Sequence, residues 1–325
     1  MAVTIGIILA IVLCQKPVIN ASADVFDRHT TNTLKGAAIL LVFIHHWGYL
    51  TSKIYYDHYE HSILGYLAVT VFLFVAGYVT QFQYQKRGKI YVGRRFIISK
   101  LQRIYLPYVL VVILFAVIGR HEIGVAVKSI FNVTENWFLT TILVYYFIFF
   151  VIQHMIAEDR FRTKIAMWCI SMIVYSVVCG MLTGKSVWYN TAWAFPIGIM
   201  AAYVNRTGEN KGLKKLLLFP VLICFIVSLM LAFFAIHYTV MSIVSSACLS
   251  VLLWEWGRKF HVKNKILEYI GTLSWEFYLI HVNVLYIVMD RTDNSIVIIA
   301  LSFAITFVLA LVFRFAVMVT DKAVP

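Results

Sequence analysis

The chain has 325 residues, of which 62% are hydrophobic and 13% are charged, and its net charge is +13 at pH 7. A composition this apolar excludes an ordinary soluble domain and indicates a polytopic membrane protein. The basic residues fall between the apolar runs, where membrane proteins keep their cytoplasmic lysines and arginines, so the positive charge does not indicate binding to nucleic acid.

The first predicted element is an N-terminal segment, residues 1–33. The apolar run from Val3 to Cys14 has only twelve residues, too few to span a bilayer comfortably. It is followed by Ala21-Ser22-Ala23, which resembles a signal-peptidase site, although no lysine or arginine precedes the apolar run. We favour a retained helix at the cytoplasmic surface, and a cleaved signal peptide is the alternative.

Ten further apolar runs are long enough to cross a bilayer. The predicted fold is therefore all-α, a bundle of about ten transmembrane helices within a domain of residues 34–319, followed by a short cytoplasmic tail, 320–325. The five cysteines all lie in apolar stretches without metal or disulfide spacing, so we interpret them as packing residues and predict no metal site. The predicted spans are 34–50, 63–82, 104–119, 137–155, 165–182, 188–204, 216–236, 238–254, 267–289 and 296–319.

The charges of the loops alternate along this set of spans. With Lys35 left out, the loops, the ends and the last span on one side carry 22 lysines and arginines, and the loops on the other side carry 5. Because cytoplasmic loops collect lysine and arginine, this asymmetry places both termini in the cytoplasm.

The first span contains two ionisable residues on one face. Lys35 and His46 are eleven residues apart, which on an α-helix is three turns plus about 20°. The lysine is expected at the cytoplasmic surface and the histidine roughly 16 Å deeper. Ionisable groups inside a membrane are costly, so the presence of this pair favours a functional site. His45 is turned about 80° away from the face that Lys35 and His46 share. The alternative is that the histidines only pack against neighbouring helices and bond a backbone carbonyl.

The second loop is the most basic stretch and contains Arg95. Where this loop enters the membrane, Lys100 and Arg103 are i,i+3 neighbours and are expected on one helical face, where they can bind phosphates. The alternative is an ordinary cytoplasmic loop that contacts anionic lipid.

The ninth span contains a polar stripe formed by Ser274, Tyr278 and His281, spaced i, i+4 and i+7. Along a straight helix His281 reaches a depth of about 20 Å, close to the depth of His46, so the two are expected to face one cavity. An interhelical hydrogen-bonding seam is the alternative for Ser274 and Tyr278. Glu276 is turned away from His281.

In order along the chain, these segments resemble the membrane acyltransferase-3 family of O-acyltransferases, over about residues 30–319. The family has an arginine or lysine before a small residue with a histidine eleven positions on, an aromatic-rich segment ending Ser-Gly-Phe, an Arg-x-x-Arg-Ile-x-Pro signature and a closing histidine motif. Each motif alone is weak, and the ordered set is more specific. The matching segments are Leu34-Lys35-Gly36 with His46, Val71–Tyr78, Lys100–Tyr108, Trp137-Phe138-Leu139, Phe195–Gly198 and Ile270–His281.

The resemblance implies an enzyme that moves an acyl group, with acetyl expected, from cytosolic acyl-CoA to a hydroxyl of a cell-surface glycan or lipid-linked sugar. An alcohol is a poor nucleophile at neutral pH, and an imidazole with an unperturbed pKa of about 6.5 can take its proton, so His46 is the predicted general base. The residues expected to orient the acceptor or stabilise the oxyanion are His281, Tyr278 and Ser274. The residues expected to bind the phosphates of acetyl-CoA are Lys35, Lys100, Arg103 and Arg95.

The chain departs from the family pattern at three positions. Lys35 and Lys100 stand where arginine is common, which weakens the case for bidentate phosphate binding, and Ala76 replaces a serine. The expected location is the bacterial cytoplasmic membrane, with acyl-CoA, a saccharide acceptor and membrane lipid as partners and no metal or nucleic acid; a homo-oligomer is left open. Two other classes compete: a lipid or glycan transporter lined by the same polar residues, and a structural membrane partner.

Overall fold

A computed structural model describes residues 18–19, 25–51, 58–120, 122–131, 136–207 and 215–322. Most of the predicted N-terminal segment therefore lies outside the described residues. The described fold is all-α apart from one antiparallel pair of two-residue strands, β1 (Val18–Ile19) and β2 (Phe260–His261). The helices are α1 (Arg28–Thr51), α2 (His58–Arg87), α3 (Arg94–Lys100), α4 (Leu106–Val117), α5 (Ile123–Phe131), α6 (Trp137–Met155), α7 (Phe161–Thr183), α8 (Ala194–Thr207), α9 (Lys215–Phe233), α10 (Tyr238–Gly257), α11 (Lys265–Thr272), α12 (Ser274–Met289) and α13 (Ser295–Lys322).

Six apolar stretches of the described chain are long enough to cross a membrane, and the bent pair of α11 and α12 makes a seventh if it is counted as one span. The chain is therefore a multi-pass membrane protein. The six stretches are Ile63–Ile90, Arg95–Val117, Trp137–Met155, Phe161–Thr183, Tyr238–Gly257 and Ser295–Phe315.

Three of the ten predicted spans form helices that fall short of this standard. The run 34–50 lies in α1, whose polar residues, including Lys35 and two histidines, lower its apolar character. The run 188–204 reduces to α8, whose 14 residues cover only about 21 Å of a hydrocarbon core about 30 Å thick. The run 216–236 overlaps α9, which has Pro220 inside it and whose apolar part, Leu218–Phe233, is shorter than the other candidate spans.

The ninth predicted span is not one straight helix. The chain bends by 76° between α11 and α12. The last turn of α11 tightens, with the Leu273 N–H donating to the Ile270 carbonyl at 3.0 Å, and a new helix begins at Ser274. The predicted path of about 20 Å to His281 is therefore wrong, because His281 lies only about 10 Å along its own helix.

Two compact units make up the chain. The first comprises Met1–His45, Ile54–Lys86 and Val178–Ser274, and the second comprises His46–Lys53, Arg87–Val177 and Trp275–Pro325.

In the first unit, four glycines let helix backbones touch. A Cβ atom on Gly36 of α1 would overlap the Leu267 carbonyl of α11, and one on Gly271 of α11 would overlap the Asn32 carbonyl of α1. The same reciprocal contact joins α2 and α8 at Gly77 and Gly198. In a membrane the hydrophobic effect does not drive helices together, so their association depends on close van der Waals packing. Small residues such as glycine allow that close packing.

A seam of buried hydroxyl groups joins α2 to α10, also within the first unit. The Tyr66 hydroxyl lies 2.9 Å from Ser245 Oγ, and Thr70 Oγ1 lies 2.8 Å from Ser246 Oγ. Hydroxyl pairs of this kind contribute directional bonds to helix association in the membrane.

In the second unit, aromatic packing holds α3 against α6. The Phe96 ring lies 6.0 Å from that of Phe149 and 6.4 Å from that of Phe150. Helix α13 is mostly exposed: only 22% of its apolar stretch, within Ser295–Phe315, is buried. Such exposure is expected of a helix that faces lipid.

Candidate active site

A cavity of about 350 Å³ lies within the second unit. Its walls come from the end of α1 and from α4, α5, α6 and α12. The lining combines apolar side chains with a set of polar ones, the usual make-up of a small-molecule site. The apolar lining residues are Val111, Val112, Val125, Ala126, Leu279 and Val282, and the polar or aromatic ones are His46, Tyr108, Ser129, Asn136, Trp137, Tyr278, His281 and Asn283.

Two imidazoles meet in this cavity. His46 Nδ1 lies 3.1 Å from His281 Nε2, with the two rings edge to face at 4.8 Å between centroids. His281 is almost fully buried, with 1% of its surface exposed, whereas His46 is half-buried. The structure thus brings together the two intramembrane histidines that the sequence singles out on separate helices.

His281 is held by the backbone of its own helix. Its Nδ1 lies 2.7 Å from the carbonyl oxygen of Tyr278 and 3.1 Å from that of Phe277. One ring nitrogen is thereby committed to the backbone and the other to His46.

Asn136 is a cavity residue that the sequence analysis does not single out. It caps α6: its side-chain oxygen accepts from the Leu139 N–H at 3.2 Å and lies 3.5 Å from the Tyr278 hydroxyl. The available signal is an asparagine directly before the apolar run that opens with Trp137, a common helix-capping pattern that carries no functional information by itself.

Tyr278 is positioned by its neighbours. Its ring stacks on Trp275 at 5.7 Å between centroids, and the Trp275 indole N–H donates to the Ile104 carbonyl at 3.2 Å. Phe138 lies against the same tyrosine ring at 5.1 Å. The aromatic cluster therefore fixes one wall of the cavity to the helix that contains Ile104.

That helix is widened by a π turn, Leu101–Tyr105, between α3 and α4. Pro107 has no N–H for the carbonyl four residues earlier, and its ring crowds that carbonyl. The turn opens accordingly, with the Leu106 N–H bonded to the carbonyl of Leu101, five residues back.

Lys100 and Arg103, at the π turn, have different surroundings. The ammonium of Lys100 lies 4.0 Å from the centre of the Tyr146 ring, a cation–π contact, whereas the Arg103 side chain is exposed. The two positive charges are still close enough to interact, and their placement on one helical face stays a prediction. Neither residue lines the cavity.

Helix α5 forms another wall and is held by two tyrosines of the neighbouring segment. The hydroxyl of Tyr105 donates to the Ile130 carbonyl at 2.6 Å, and that of Tyr108 donates to the Ser129 carbonyl at 3.0 Å. Carbonyls in the last turn of a helix have no partner within the helix, so these bonds satisfy its C-terminal end.

The other predicted residues lie elsewhere. Ser274 is the buried first residue of α12 and does not line the cavity. Lys35 is half-buried on α1 and Arg95 is exposed on α3. His45 packs against α2, since a Cβ atom on Gly65 would lie 2.8 Å from its Nε2.

Among the described residues that line the cavity there is no carboxylate and no lysine or arginine. The carboxylate of Glu276, on α12, pairs instead with Arg314 on α13 at 3.3 Å. Within the described part of the chain, no group of three His, Cys, Asp or Glu side chains is arranged to hold a metal ion. Among the described lining residues, the two histidines are therefore the groups best suited to move a proton near neutral pH.

Comparison with known proteins adds one finding. A family model described as an acyltransferase domain matches residues 29–319. No curated protein and no solved structure matches the chain.

Proposed function

The chain belongs to the acyltransferase-3 family and is an acyl-transferring membrane enzyme, and from that premise we propose that it acylates a hydroxyl group with His46 as the general base. The observation that carries the proposal is the contact between His46 and His281 inside a cavity whose described lining is otherwise uncharged. The donor we propose is acyl-CoA, with acetyl as the group transferred. The acceptor is a hydroxyl of a cell-surface glycan or lipid-linked sugar.

The cavity suits the reacting ends of these substrates. A volume of about 350 Å³ is at the small end of the range for ligand pockets, enough for a thioester and one hydroxyl-bearing unit but not for a whole coenzyme. Four of the described lining residues are valines, whose apolar side chains lower the local polarity and so strengthen hydrogen bonds to developing charge.

The chemistry follows from the imidazole. His46 takes the proton from the acceptor hydroxyl while its oxygen attacks the thioester carbonyl. The resulting tetrahedral species expels the thiolate, and the C–S bond breaks as the C–O ester bond remains. The imidazolium of His46 then returns its proton to the leaving sulfur, so the residue ends the cycle as it began it.

Asn136 is the proposed donor to the oxyanion. Its side-chain oxygen is engaged by the Leu139 N–H and faces the Tyr278 hydroxyl. Its amide nitrogen, with two N–H donors, is the group of this cavity residue that we propose donates to the ligand. A donor directed at the carbonyl oxygen stabilises the charge that appears there in the transition state.

The phosphates of the proposed acyl-CoA need positively charged side chains, and the described lining of the cavity has none, so these side chains are expected outside the cavity. Arg103 is exposed where the helix enters the membrane and offers a planar guanidinium to phosphate. Lys100, Arg95 and Lys35 remain predicted phosphate ligands, each to be tested singly by alanine substitution. For Lys35→Ala we expect a higher KM for acyl-CoA, and an unchanged KM would remove it from the donor site.

The setting proposed is the bacterial cytoplasmic membrane, with ten spans and both termini in the cytoplasm. The loop charges of 22 against 5 support this orientation. Membership of an acyltransferase family favours an enzyme over the transporter alternative.

The test uses two neighbouring histidines. We expect His46→Ala to abolish acyl transfer in isolated membranes while the protein is still produced at the normal level, because its general base is gone. His45→Ala is the matched control: it removes an imidazole from the adjacent position, one that packs on Gly65 instead of lining the cavity. A folded His46→Ala protein with normal activity would refute the assignment.

A further inference from the structure

We propose that His281 is a positioning residue that sets the tautomer of His46, so that Nε2 is the nitrogen of His46 that accepts the substrate proton. The inference rests on the proposed function, since it assigns a reacting atom to the proposed base. It starts from three hydrogen bonds whose donors and acceptors can be assigned in order.

The first step is the backbone contact of His281. A carbonyl oxygen only accepts hydrogen bonds, so the Nδ1 that lies 2.7 Å from the Tyr278 carbonyl must carry a proton and donate it. The Phe277 carbonyl at 3.1 Å shares the same donor. In a neutral imidazole the other nitrogen then has a lone pair, so His281 Nε2 is an acceptor.

The second step is the contact between the two rings. Because His281 Nε2 accepts, His46 Nδ1 at 3.1 Å must donate. His46 therefore has its proton on Nδ1, and its basic lone pair is on Nε2, at the opposite side of the ring. The backbone carbonyl thus fixes which nitrogen of His281 is protonated, and His281 in turn fixes which nitrogen of the proposed base, His46, is protonated.

The arrangement explains why an imidazole, buried to 1% exposure, stands beside the half-buried His46. His281 is more deeply buried than His46 and both of its ring nitrogens are hydrogen-bonded, so it is poorly placed to take a proton from substrate itself. Its contribution is the orientation and tautomer of the residue that reacts. Loss of this kind of support costs an acid–base catalyst on the order of 10²–10⁴-fold in rate, because the wrong tautomer presents an N–H where a lone pair is needed.

The test is a pair of amide substitutions at position 281. The glutamine amide reaches about as far as Nε2 of histidine, so its oxygen in His281→Gln can accept the proton of His46 Nδ1. The asparagine amide reaches only as far as Nδ1, so His281→Asn keeps a donor for the backbone carbonyl and loses the bond to His46. We expect His281→Gln to retain activity within about tenfold of wild type, and His281→Asn to lose 10²-fold or more in kcat with little change in KM.

The outcomes separate this inference from the function on which it rests. If His46→Ala is inactive while the Gln and Asn variants at position 281 are equally active, His281 is not a positioning residue although the base assignment holds. If both variants are equally inactive while their thermal stability in detergent matches wild type, the acceptor at Nε2 is not what matters and the inference fails. If either variant is unstable, His281→Gln and His281→Asn are compared again with saturating acyl-CoA present, and the same order of kcat is required. If His46→Ala itself is active, the proposed function fails first.

Discussion

In the proposed mechanism Asn136 both caps a helix and donates to the oxyanion, and the two roles can be separated by substitution. Its oxygen caps α6 through the Leu139 N–H, which sets the direction of the amide nitrogen. Aspartate and serine cap helices about as well as asparagine, but they lack an amide donor. A loss of activity in variants that keep the helix cap but lack the amide donor therefore identifies the oxyanion role.

We expect Asn136→Asp and Asn136→Ser to reduce kcat by about 10²–10³-fold, the typical effect of removing one oxyanion donor. Their melting temperatures in detergent should match wild type, because the helix cap is kept. Asn136→Ala should lose activity and also about 0.5–2 kcal/mol of stability with the cap. Full activity in the serine variant would assign the residue to capping alone.

At the scale of helices, the positions of four glycines decide which helices can touch. Gly36 and Gly271 belong to two segments far apart in sequence, yet each contacts a carbonyl of the other's helix. Gly77 and Gly198 repeat the arrangement between α2 and α8. Both pairs lie in the short segments on which the family resemblance rests, so these motifs have a packing reason that does not involve catalysis.

A comparison of two Gly→Ala changes tests this packing. Gly36→Ala places a methyl group against the backbone carbonyl of Leu267, which cannot move aside as a side chain would, and we expect a loss of about 1–3 kcal/mol. Gly124→Ala, in α5, has nothing within 4 Å of the new atom and should gain up to about 1 kcal/mol from helix propensity. Thermal unfolding in detergent compares the two, and equal stability of the variants would exclude backbone contact at Gly36.

The same element-level reasoning separates what the sequence can predict from what it cannot. Helical spacing places His46 with Lys35 and His281 with Tyr278, because each pair lies on one helix. The 3.1 Å contact between the histidines depends on two helices that the sequence does not order in space. The break at Leu273 was missed because the apolar run continues through it.

Unlike the break at Leu273, the π turn has a cause that can be seen in the sequence. Pro107 is present in the sequence, but a proline can kink, end or widen a helix, and the choice depends on tertiary contacts. Here the Trp275 indole bonds the Ile104 carbonyl within the widened turn. The ring contact of Lys100 and the exposure of Arg103 depend on such tertiary contacts and could not be read from the spacing of the two residues.

For the molecule as a whole, the strongest prediction concerns its orientation in the membrane. The distribution of 22 basic residues on one side and 5 on the other is a property of the complete set of loops. A single span added or removed would break the alternation, since every later loop would change sides. The orientation also decides which face of the protein is exposed to the proposed cytosolic donor.

Reporter fusions at two points test this orientation. Green fluorescent protein after Pro325 should fluoresce, because the C-terminus is predicted to be cytoplasmic, and alkaline phosphatase at the same point should be inactive. Fusion after Asn294, in the loop between α12 and α13, should reverse both signals, since exactly one apolar helix separates the two points. Signals that do not reverse would mean that α13 does not cross the membrane. Signals that reverse with the opposite sign would place 22 basic residues outside, contrary to the positive-inside rule, and would deny a cytosolic donor the entry proposed at Arg103.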